Sequence, residues 1–126
     1  MSPSPSTVYA GALTPDAIQK LGGAALVLIA ANQALDPHTA NRYMITKGSL
    51  CALTLAAPTA GTDDGLSIEI NSSTAFAHTL TATGLLVDGA GHVNVATFPA
   101  AGGGAIDLTA YNGKWYVVNS QNITFS

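Results

Sequence analysis

LTAYNGKWYVV, residues 108–118, is the stretch on which the fold turns. Asn112-Gly113 is the strongest two-residue signal for a β-hairpin, because both central positions of that turn need positive φ. With the turn placed there, Tyr111 pairs with Lys114, Ala110 with Trp115, Thr109 with Tyr116 and Leu108 with Val117. Side chains directly opposite share a face. Ile106, Leu108, Ala110, Trp115 and Val117 therefore form one apolar face, which reads as the core face. Asp107, Thr109, Tyr111, Lys114, Tyr116 and Val118 form the other. Tyrosine offers a large contact area at small entropic cost and is enriched at interfaces. The second face reads as a contact with another copy or a partner. An exposed sheet face and a ligand platform are the alternatives.

Working outward, strand signals and turn signals alternate. LSIEI (66–70) puts Leu66, Ile68 and Ile70 on one side and Ser67 and Glu69 on the other. RYMITK (42–47) and CALTLAA (51–57) flank a Gly-Ser turn. AHTLTAT (77–83) is rich in β-branched threonine. HVNVATF (92–98) alternates again, and QNITFS offers a last strand. AALVLIAA (24–31) is eight apolar residues, far short of the roughly 20 that span a membrane, and reads as a buried strand. About eight short strands at roughly 8–12-residue spacing predict an all-β domain, a small antiparallel β-sandwich or barrel.

The start of the chain differs. Residues 1–12 read as an extended N-terminal arm, because Pro3 and Pro5 lack the amide hydrogen that regular pairing needs. Val8 and Tyr9 give the arm an apolar docking point, with an unanchored terminus as the alternative. Residues 13–126 read as a single β domain. Its one short helix is expected at 13–23, capped by Thr14, started by Pro15 and ended by Gly22-Gly23.

Composition narrows the function. Charged residues are 9% of the 126-residue chain, against about 25% in an ordinary soluble domain. A surface so poor in charge is expected to be covered by small polar residues and by partners. The net charge is −3, and Lys20, Arg42, Lys47 and Lys114 are too few and scattered to follow a nucleic acid. No polybasic patch points to a membrane surface. AALVLIAA makes a poor signal-peptide core, so a soluble protein not secreted by the usual route is expected.

Chemistry is sparse. Cys51 is the single cysteine and reads as a buried small hydrophobe. His38, His78 and His92 are far apart and lack metal-ligand spacing, so each reads as an ordinary polar contact. TDDG (62–65) lacks the frame of a calcium loop and reads as a turn whose carboxylates bond backbone amides. AAGGGA (100–105) lacks the lysine and hydroxyl of a phosphate loop. No nucleophile–base constellation can be assembled. Neither an enzyme, nor a cofactor, nor a metal is expected.

The run YMITKGSLCALTLAAPTAGTDDGLSIEINSSTAFAHTLTAT, followed by NVATFPAAGGGAIDLTAYNGKWYVV, resembles small tailed-bacteriophage virion proteins of the capsid decoration (cement) and head-fibre type. The resemblance covers residues 43–118 and lies in the style and order of the elements. It implies a homotrimer, made in the host cytoplasm, that binds the major capsid protein on the outside of the shell and stabilises it. It also implies that the arm is an anchor, which makes Pro3, Pro5, Val8 and Tyr9 candidate contacts beside Tyr111, Lys114 and Tyr116. The competing reading is a tail-fibre or baseplate module whose tyrosines stack on a host glycan or receptor.

Overall fold

Asn112 has φ of 50° and Gly113 of 78°, as the two-residue turn requires. The four expected cross-strand pairs from Tyr111–Lys114 to Leu108–Val117 all form. Around this hairpin the computed structural model describes residues 26–89 and 91–126. The strands are β1 (Leu26–Ile29), β2 (Gln33–Ala34), β3 (Arg42–Ile45), β4 (Ala52–Thr54), β5 (Ser67–Ser72), β6 (Thr79–Asp88), β7 (Gly91–Thr97), β8 (Ala105–Tyr111), β9 (Lys114–Gln121) and β10 (Thr124–Phe125). No described residue is helical. The expected arm at 1–12 and the helix at 13–23 lie outside the described residues.

The strands form one curled sheet, a half-barrel, in the order β1-β3-β5-β8-β9-β6-β4-β2, with β7 on β6 and β10 on β7. The chain shuttles between two arms of this sheet. β1, β3 and β5 run parallel in one arm, and β2, β4 and β6 run parallel in the other. The hairpin closes the gap: β8 pairs antiparallel to β5, and β9 pairs parallel to β6. The all-β expectation holds, but the sheet is mixed and not antiparallel. The Gly-Ser turn shows why. Gly48 is not among the glycines with positive φ, so no tight hairpin forms there. β3 and β4 leave in different directions and join different arms.

β6 serves both β4 and β9 by bending. Thr79–Thr81 pair with β4 and Leu86–Val87 with β9, and the register toward β7 shifts between Thr81 and Leu86. Asn94 Oδ1 accepts the Gly84 amide hydrogen at 2.7 Å inside the bulge. That bond gives a backbone donor released by the bulge its partner.

The concave side holds one core. Ile29, Ile45 and Ile70 come from one arm, Leu53, Leu80 and Leu86 from the other, and Ile106, Leu108 and Trp115 from the hairpin; all are buried in a single cluster. This is the face that the alternation in LSIEI and LTAYNGKWYVV marks as apolar. Gly104 closes the core beside Phe98. A Cβ there would stand 2.6 Å from Pro99 Cδ and 2.8 Å from Phe98 Cδ2. The residue after Gly102-Gly103 must therefore be glycine for reasons of space.

Candidate functional site

The outer face of the hairpin carries the aromatic pair expected from its sequence. Tyr111 is 58% and Tyr116 38% exposed. Their ring centroids are 5.9 Å apart with planes inclined at 60°. Opposite them, Trp115 is buried and its Nε1–H donates to the Ala56 carbonyl at 2.9 Å. The turn is tied down as well: Asp64 Oδ1 accepts the Asn112 amide hydrogen at 2.9 Å and that of Gly61 at 3.1 Å. The tyrosines thus stand on a rigid support. Lys114 is half-buried, and its Nζ reaches the Gly84 carbonyl at 3.4 Å.

Val118, expected on this face opposite Asp107, is displaced from that pairing. Asp107 pairs with Asn119 while Leu108 pairs with Val117, so a bulge leaves Val118 without an opposite residue. It is 65% exposed. Below it, a polar row crosses the sheet from Arg42 to Glu69 to Asp107 to Asn119. Arg42 Nε donates to Glu69 Oε1 at 3.1 Å. Burial, with the Glu69 charge opposite, pushes the Asp107 carboxyl up from its usual range. At the far edge Leu26 and Leu28 are exposed on β1. Pro3, Pro5, Val8 and Tyr9 lie outside the described residues.

A second cluster joins residues that the sequence keeps 25 positions apart. His38 Nε2 stands 2.9 Å from Asp63 Oδ1, so this nitrogen carries the proton and the carboxylate accepts it. Asp63 Oδ2 accepts the Thr59 amide hydrogen at 2.7 Å. Asp36 Oδ1 accepts the His38 amide hydrogen at 3.1 Å. The hydrogen bond that His38 donates to Asp63 and the charge of that carboxylate hold His38 above its ordinary value, and that same bond lowers the Asp63 carboxyl. The TDDG turn therefore bonds backbone amides through both of its carboxylates, and one of them also grips a distant loop. A pocket of about 130 Å³ is lined by Leu35, Pro37, Pro58, Leu66 and Trp115 together with Asp36, His38 and Asp63.

His78 is fully buried between two partners. The Cys51 amide hydrogen donates to Nδ1 at 3.0 Å, and Nε2 faces Thr74 Oγ1 at 2.8 Å. With Nδ1 accepting, the proton sits on Nε2. Burial lowers the ring's pKa and keeps it neutral. Burial likewise raises the Cys51 thiol, which leaves little thiolate for chemistry. Among the described residues no group of three or more His, Cys, Asp or Glu is placed to hold a metal ion, and no helix is long and apolar enough to cross a membrane. Neither protein-family models nor curated proteins match this chain.

Proposed function

We propose that this chain is a structural assembly protein, a capsid-decoration protein that associates with its own copies through the outer face of the β8–β9 hairpin. The observation that carries the reading is the Tyr111–Tyr116 pair: two large exposed rings, with Val118 beside them, on a hairpin locked from below by Trp115 and Asp64. Rigid aromatic anchors of this kind dominate protein contacts. The trimeric state, the place on the outside of the virion shell and the major capsid protein as partner come from the resemblance of residues 43–118.

Light scattering across a dilution series tests the reading. We expect a concentration-independent trimer for the natural chain. Tyr116→Ala should shift the mass toward monomer while its denaturation midpoint stays within the spread of ordinary surface substitutions, about 0.5 kcal/mol. A stable monomer that retains a glycan on these tyrosines would replace this reading with the tail-fibre one.

A further inference from the structure

The pocket beside Trp115 has two halves of different chemistry. Leu35, Pro58, Leu66 and Trp115 give it apolar lining, and Asp36, Asp63 and His38 give it two carboxylates and one imidazole. The Asp63 side chain is 9% exposed, so a cation that reaches it is largely out of water. The volume, about 130 Å³, is close to the roughly 150 Å³ of a cavity that holds one benzene. That is room for a single side chain, well below the roughly 300–1,000 Å³ of sites for larger ligands. A group that suits both halves has an apolar stem and a positive tip. The chain already shows the tip being bound: the N–H of His38 occupies Asp63 at 2.9 Å.

We propose that this pocket is a socket for a lysine side chain of a protein partner, its stem against Trp115 and Leu66 and its ammonium on Asp63 and Asp36, in the place His38 takes in the free chain. The proposal rests on the assembly reading for the existence of a partner. The socket's chemistry does not depend on that reading. Two carboxylates facing one imidazole leave the polar lining of the pocket negative at every pH at which they are ionised, which complements an ammonium. His38 is the competitor. The titratable groups facing it are Asp36 on its own loop and Asp63 on the loop between β4 and β5. Once His38 loses its proton, it yields Asp63 more readily. Binding should therefore strengthen as pH rises through the pKa of His38, until the amine itself deprotonates near about 10.4.

The test uses the full chain and n-butylammonium chloride as the probe, with 1-butanol as the uncharged analogue of the same length. Trp115, the only tryptophan of the chain, reports through its fluorescence and through the nuclear magnetic resonance signal of its Nε1–H. We expect a saturable response to butylammonium, weaker at pH 5.5 than at pH 8.5 by about tenfold. His38→Ala should bind tightly at both pH values, and Asp36→Asn should weaken binding about threefold without unfolding the chain. An equal response to 1-butanol would show an apolar pocket with no preference for a cation and overturn the proposal. So would the lack of a saturable response in both the natural chain and His38→Ala. If butylammonium binds while light scattering finds a monomer, the assembly reading fails and the socket stands.

Discussion

The two nitrogens of His78 do opposite jobs: Nδ1 accepts from the Cys51 amide, and Nε2 carries its hydrogen toward Thr74. A proton added to Nδ1 would face a donor in a buried site. The folded-state pKa is lowered by burial, so protons favour the unfolded chain. The stability that His78 provides is present above the ordinary value of about 6.5 and is lost as pH falls below it, by at most about 1.4 kcal/mol per pH unit. Urea midpoints at pH 7.5 and 5.5 should show this fall in the natural chain, and His78→Gln should flatten it; an equal fall in both would mean that another group carries it. His38 works the other way. Its raised pKa gives a contribution that is full below about 6.5 and fades as pH rises through the raised value. His38→Ala should therefore steepen the acid loss that remains. At Gly104, alanine would press a Cβ into Pro99 and Phe98, and overpacking of this kind costs about 1–3 kcal/mol. A Gly104→Ala midpoint equal to that of the natural chain would show that the loop after β7 can give way. The sequence marks that loop only as glycine-rich. The need for space at the third glycine comes from a ring that is folded back onto it.

Among the elements, β4 and β1 make a contrast. β4 is three residues long, yet Leu53 at its centre is fully buried between β2 and β6. Leu28 on β1 is an equally apolar residue but is 64% exposed on the edge strand of the other arm. Leu53→Ala should cost about 2–5 kcal/mol, as buried leucines do. Leu28→Ala should stay within about 0.5 kcal/mol. Chemical denaturation of both variants checks this, and similar losses would mean that the β1 edge is covered in solution. The hairpin is the most legible element, because Asn112-Gly113 sets its register through local geometry. The bulge at Val118 is not legible, since no glycine or proline marks it. It arises where β8 must pair with β5 on one side and β9 on the other.

For the whole molecule, the outer face of the hairpin is where the assembly reading stands or falls, and the mass of Tyr116→Ala against that of the natural chain is the measurement that decides it. The alternation of apolar and polar residues determined that the described residues form an all-β fold and which side of β5, β8 and β9 faces the core, because side-chain direction in a strand follows from position alone. Turn chemistry determined one strand pairing, β8 with β9. It also placed the aromatic pair Tyr111 and Tyr116 on the outside. Only the tertiary structure decided the rest of the pairing. The period of two says which face is buried and nothing about which strand lies alongside, so the parallel arms β1-β3-β5 and β2-β4-β6 could not be read from it. The same holds for the His38–Asp63 contact and the pocket under it. Their residues are 25 positions apart on separate loops, and no local rule brings them together. The curl of the sheet does, by folding both loops over Trp115.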